Sequence, residues 1–146
     1  MRELFLFFSI ANGVIFLKAL HECKSKNNPF GLTRWLAPIG AFVWGDAVVF
    51  SIFWLLVSLV CWWFNDALLF WLIVSVFWAV RSLGETTYWF NQQFSTIERE
   101  PPKSLIGFSI FKNNSIWFVH QIVWQCVAVV AIIASVYFGH AWLNSL

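Results

Sequence analysis

Asp46, Arg81 and Glu85 are ionisable residues that interrupt long apolar stretches of this sequence. Arg81 and Glu85 are four positions apart, which places them on one face of a helix and within reach of an ion pair. Charged side chains inside a membrane are costly, and they commonly mark ion paths, proton relays or substrate sites. The three residues are therefore candidates for an ion- or proton-coupled site, while the sequence assigns no residue a catalytic role.

Histidine and carboxylate side chains also suit zinc or iron. His21 and His120 are the two candidate ligands, but no H-x-x-x-H or H-E-x-x-H spacing supports them. Cys23, Cys61 and Cys126 are isolated, so neither a disulfide framework nor a C-x-x-C site is indicated. The chain also lacks a nucleophile motif and a phosphate-binding loop. These observations favour a protein without a metal, a cofactor or catalytic activity.

A polar stripe follows Arg81 along the same stretch of sequence. Arg81, Glu85, Tyr88 and Gln92 recur at spacings of four, three and four residues, which is one face of an α-helix. Such a stripe at the end of a helix suits contact with lipid headgroups or with a partner protein, and Tyr88 and Gln92 are the candidates for that contact. The alternative interpretation is an ordinary amphipathic helix end.

The composition indicates which elements must position these residues. The sequence is 60% hydrophobic and 11% charged, whereas soluble domains are near half apolar and a quarter charged. A soluble fold of 146 residues could not bury so much apolar surface, because about a third of the unfolded surface stays exposed after folding. The net charge of only +2 and the absence of a basic cluster argue against a nucleic-acid partner. The chain is therefore expected to lie in a lipid bilayer.

Four apolar runs are long enough to span a membrane, which takes about 20 residues. The predicted spans are, in chain order, about 4–20, 36–64, 67–94 and 116–142. No cleavage site follows the first run, so it is interpreted as a retained helix. The predicted fold class is an all-α polytopic membrane protein with four transmembrane helices in an up-down bundle, forming a single domain over residues 1–146.

Positively charged residues predict the orientation, because cytoplasmic loops are enriched in Lys and Arg. The connections 21–35 and 95–115 carry six of them: Lys24, Lys26, Arg34, Arg99, Lys103 and Lys112. The turn at Asn65 and Asp66 and the C-terminal tail carry none, and the N-terminus has only Arg2. These two connections are therefore predicted to be cytoplasmic, and both termini extracytoplasmic.

The short turn after the second span also relates the depths of residues in the membrane. Asp46 precedes Asn65 by as many residues as Glu85 follows Asp66. At 1.5 Å per residue both lie roughly 28 Å from the turn, near the cytoplasmic boundary of a ~30 Å core. The same count brings polar residues of all four spans to one level. This polar layer comprises Lys18, His21, Asp46, Arg81, Glu85, His120 and Gln121.

The polar layer has two interpretations. It is either the membrane boundary, where long charged side chains reach the headgroups, or an inward-facing cluster that forms a site. Gln121 and Gln125, one turn apart on the fourth span, are expected to bond to neighbouring helices.

Three functional hypotheses follow from these patterns. The favoured one is a non-catalytic membrane subunit or scaffold whose polar cytoplasmic helix end contacts a membrane-protein partner or another copy of the chain. The second is a small oligomeric transporter or channel that uses Asp46, Arg81 and Glu85. The third is an intramembrane enzyme acting on lipid headgroups, with or without metal assistance.

Overall fold

The computed structural model describes residues 1–96 and 100–146. These residues are 80% helical and contain no β-strand. Their α-helices are α1 (Arg2–Ser25), α2 (Trp44–Phe64), α3 (Ala67–Phe94), α4 (Phe108–Phe111) and α5 (Ser115–Leu143). Four of these, α4 being the exception, are long and apolar enough to cross a membrane. The chain is an integral, multi-pass membrane protein, and the predicted all-α fold class with four spanning helices is confirmed.

The chain forms two compact units, Met1–Ile73 and Val74–Leu146. The division falls inside α3, which is one unbroken helix. The first unit holds α1, α2 and the first turns of α3, and the second holds the remainder of α3 with α4 and α5. A single domain over residues 1–146 stays a prediction.

Aromatic rings hold the first unit together. The ring of Phe8 lies 6.2 Å from that of Trp54 and 6.0 Å from that of Phe70, measured between centroids. Each such pair contributes about 0.5–1.5 kcal/mol beyond the area it buries. The two helices α1 and α2 approach closely enough for the Ser9 hydroxyl to donate a hydrogen bond to the carbonyl of Leu55 at 3.4 Å.

The connection before α2 differs from the sequence prediction. The second span was predicted to begin at residue 36, but α2 begins at Trp44. Residues Arg34–Ile39 form a 3₁₀ helix that contains Pro38, and Gly40 ends it in the left-handed region at φ 80°. The indole Nε1 of Trp54 donates a 3.0 Å hydrogen bond to the carbonyl of Ile39. The connection therefore folds back along α2 instead of extending it.

The second unit is built around a cluster of the buried residues Trp89, Ile116 and Trp117. Further along the same two helices, the rings of Trp78 and Trp124 stack at 6.4 Å with an interplanar angle of 11°. These contacts pack the later part of α3 against the first half of α5. They position the polar residues of both helices.

The candidate polar site

Arg81 and Glu85 form the ion pair that their spacing predicts. The Arg81 Nη2 atom lies 2.9 Å from the Glu85 Oε1 atom, and the two side chains are only 18% and 14% exposed. Both residues lie within the spanning helix α3. Breaking such a pair by removing one partner is strongly destabilising, because it leaves an uncompensated charge in an apolar environment. Each member of the pair therefore needs the other, whereas loss of both charges together is expected to be tolerated.

Lys18 lies against two indole rings. Its Nζ is 5.4 Å from the ring centroid of Trp35 and 5.4 Å from that of Trp44. At the other end of α1, the Arg2 guanidinium lies 4.7 Å above the ring of Trp62. Arg2 and Lys18 are separated by about 24 Å of helix, which is comparable to the thickness of a hydrocarbon core. Cation and Trp pairs at both ends of α1 resemble the aromatic belts of membrane interfaces.

Asp46 lies in the first turn of α2. Its Oδ2 accepts a hydrogen bond from the backbone N–H of Phe42 at 3.2 Å. A carboxylate at a helix N-terminus is also favoured by the helix dipole, typically by about 0.3–1 kcal/mol. Asp46 belongs to the first unit whereas Arg81 and Glu85 belong to the second, so their predicted juxtaposition stays a prediction.

His120 and Gln121 bond to neighbouring elements of the second unit. His120 Nε2 lies 3.2 Å from the carbonyl oxygen of Ile106, and this carbonyl can only accept. The ring of His120 also lies 4.7 Å from that of Trp89. Gln121 Oε1 accepts a 2.6 Å hydrogen bond from Gln93 Nε2. The expectation that Gln121 bonds to a neighbouring helix is thus confirmed.

The stripe predicted to contact a partner does not lie wholly on the surface. Gln92 is only 3% exposed, and Tyr88 is half-buried with its hydroxyl 3.5 Å from Glu100 Oε1. The stripe turns inward because Trp89, next to it, packs into the aromatic cluster on α5. Gln92 is therefore an interior residue of the second unit, and its contact with a partner stays a prediction.

The surface that the end of α3 exposes lies on the other side of the helix. Thr87 and Asn91 are exposed there, and so are Phe90 at 49% and Phe94 at 74%. The rings of Phe90 and Phe94 are 5.0 Å apart. This α3 end face, defined by Thr87, Phe90, Asn91 and Phe94, was not predicted from the sequence. Its signal was the recurrence of aromatic residues four positions apart in a polar segment.

The two candidate metal ligands, His21 and His120, belong to different compact units. His21 is exposed near the end of α1, and His120 belongs to the second unit. Across residues 1–96 and 100–146, no group of three or more His, Cys, Asp or Glu side chains is arranged to hold a metal ion.

The structure thus brings together Arg81 with Glu85, Gln121 with Gln93, and Lys18 with two indoles. Most members of the polar layer are engaged with other residues of their own unit. No protein-family model, curated protein or solved structure matches the chain.

Proposed function

We propose that this protein is a non-catalytic membrane subunit that holds a partner protein at the α3 end face. The observation that carries the proposal is that polar groups of the layer bond to other groups of the same protein. Arg81 and Glu85 pair with each other, Asp46 binds a backbone N–H, and Gln121 binds Gln93. These polar groups serve the fold itself, which favours a structural role for the layer over a catalytic one.

The position of the α3 end face supports partner contact. Phe94 lies about 40 Å from the start of α3 at 1.5 Å per residue, which exceeds the ~30 Å of a hydrocarbon core. Two large aromatic side chains are therefore exposed beyond the lipid tails, beside the polar Asn91. Aromatic residues with neighbouring polar groups are typical of protein interfaces. The partner we propose is the cytoplasmic part of another membrane protein.

The proposed orientation places this face in the cytoplasm and both termini outside. The proposal rests on the enrichment of Lys and Arg in cytoplasmic loops. The two connections carry Lys24, Lys26, Arg34, Lys103 and Lys112, all of them exposed. Arg99, the sixth positive residue of the prediction, lies outside the described residues. Reporter fusions at Asn114 and after Leu146 should read cytoplasmic and extracytoplasmic respectively.

A transporter or channel is the second candidate, and one observation favours it. The Arg81–Glu85 pair is largely buried within a spanning helix, where ionisable residues often serve an ion path. The two functions predict opposite results for the same set of variants.

The test compares two double variants in a strain that lacks the chromosomal gene. Phe90→Ala with Phe94→Ala should abolish complementation and the co-purification of one specific protein, because it removes the exposed aromatic pair. Stability should change by no more than about 0.5 kcal/mol for each exposed substitution. Arg81→Leu with Glu85→Leu should keep both complementation and co-purification, because the two charges are removed together.

The matched control is Val123→Ala with Val130→Ala, which truncates two apolar residues exposed at 53% and 67% on α5. It should behave as the wild type. If the Arg81 and Glu85 variant folds but loses function while the Phe90 and Phe94 variant keeps it, the scaffold proposal is refuted and the transporter is favoured.

A further inference from the structure

One face of α5 carries exposed side chains along the whole helix. They recur at intervals of three and four positions: Phe118, Ile122, Gln125, Val129, Ile132 and Val136. All but Gln125 are apolar, as suits a helix surface in contact with lipid. The side of α5 next to this row is buried, with Trp117, Ala128 and Ala131 all under 8% exposed. We call the exposed side the α5 outer face.

Gln125 is the exception on the α5 outer face. It lies about 15 Å from Ser115 at 1.5 Å per residue, with exposed apolar residues one turn before and one turn after it. Its neighbour Gln121, one turn earlier, is buried and bonds to Gln93 at 2.6 Å. The same helix thus carries two amides, one that is paired inside the unit and one that faces outward.

An amide facing lipid tails loses hydrogen bonds that it would make in water, so a bonding partner from another helix stabilises it. We propose that this partner is Gln125 of a second copy of this chain, and that the protein self-associates through its α5 outer face. Gln125 lies at the same depth in any two copies that insert in the same orientation. A twofold axis along the membrane normal then brings the two amides together.

The chemistry of the amide favours this pairing. A glutamine side chain both donates through Nε2 and accepts through Oε1. Two Gln125 side chains related by a twofold axis can therefore each donate to the other, with no further polar residue required. A different membrane helix would have to present its own polar group at this depth and on the matching face.

Energy transfer between purified full-length chains tests the proposal. Donor- and acceptor-labelled copies, labelled at a tag after Leu146, are mixed in phosphatidylcholine and phosphatidylglycerol vesicles over a range of protein-to-lipid ratios. The wild type should show saturable transfer. Gln125→Leu should weaken association about eightfold, which corresponds to losing two hydrogen bonds of average strength between membrane helices. Gln125→Asn, which keeps a shorter amide, should fall between the two.

The matched control is Val123→Leu. Val123 is also exposed, at 53%, but lies on a different side of α5, about 200° around the helix from Gln125. Its variant should associate like the wild type. A wild type that shows no transfer above random proximity, or a Gln125→Leu chain that associates as tightly as the wild type, would overturn the proposal. Since only this chain is present, the result does not depend on the partner proposed for α3.

Discussion

The two long connections of the chain are each tied to a helix by an indole, yet they fold differently. Before α2, Trp54 donates to the carbonyl of Ile39 at 3.0 Å. Before α5, Trp117 donates to the carbonyl of Glu100 at 3.1 Å. The first connection contains the buried residues Thr33, Leu36, Ile39 and Ala41. In the second, neither Pro102–Ser104 nor α4 contributes a buried residue.

Their backbone hydrogen bonds differ in the same sense. In the first connection the Thr33 N–H donates to the carbonyl of Phe42 and the Gly45 N–H donates to the carbonyl of Pro29, each at 2.8 Å. These bonds link residues that are far apart in the loop. In the second, Ser104 N–H donates to Pro101 and Lys112 N–H donates to Phe108, which are local turns. A segment held by local bonds at the surface can open without disturbing the core. The first connection is thus held by backbone bonds between its own distant residues, whereas the described part of the second is tied to α3 and α5 by side chains of those helices.

The largest difference is expected when each indole loses its donor. Trp54→Phe leaves the buried Ile39 carbonyl without its partner and should lower the free energy of unfolding by about 1–3 kcal/mol. Trp117→Phe loses a similar ring volume from a buried cluster. It should nevertheless cost about 1–2 kcal/mol less than Trp54→Phe, because the Glu100 carbonyl can bond to water when its half-buried segment shifts. Chemical denaturation in detergent micelles, followed by circular dichroism, measures both. Equal losses would contradict the distinction between the two connections.

A smaller difference is expected at the two glycines with positive φ. Gly40 at φ 80° and Gly107 at φ 91° each occupy the left-handed region, where an L-residue costs about 1–2 kcal/mol. Gly40→Ala should show this full cost, because the buried turn cannot relax. Gly107→Ala should show less and instead speed hydrogen exchange at residues 104–112. The added Cβ there meets Ile116 Cδ1 at 3.4 Å, an ordinary contact, so crowding is not the cause.

The smallest effects should come from the side chains that tie each connection to its helix. Lys18→Met keeps an unbranched stem but removes the cation above Trp35 and Trp44, and should cost about 0.5–1 kcal/mol. Tyr88→Phe removes a hydroxyl 3.5 Å from Glu100, at the outer limit of a hydrogen bond, and should cost less than about 0.5 kcal/mol. The same denaturation assay compares them. A larger loss for Tyr88→Phe would mean that the second connection is fixed as firmly as the first.

Some of these features follow from the sequence and others do not. The helix over residues 67–94 was predicted with the bounds that α3 has, because Asp66 precedes a long uninterrupted helical pattern. The Arg81–Glu85 pair was predicted as well, since a spacing of four fixes two side chains on one helix face. The start of α2 was not predicted, because residues 36–43 are as apolar as a spanning helix. Residues 36–43 are excluded from α2 only by the local geometry of Pro38 and Gly40 and by the hydrogen bond that Trp54 donates to Ile39.

The sequence by itself determined that the chain spans a membrane four times, because the bilayer requires a length and apolarity that can be read directly from composition. Beyond the local Arg81–Glu85 pair, the tertiary structure alone decided which polar groups meet. Gln92 and Phe94 lie two positions apart, yet Gln92 is buried and Phe94 is exposed. The rotation of α3 is set by how Trp89 packs against Trp117 and Ile116 on α5. That choice depends on the fit of side chains between two helices, and no periodicity within one helix encodes it.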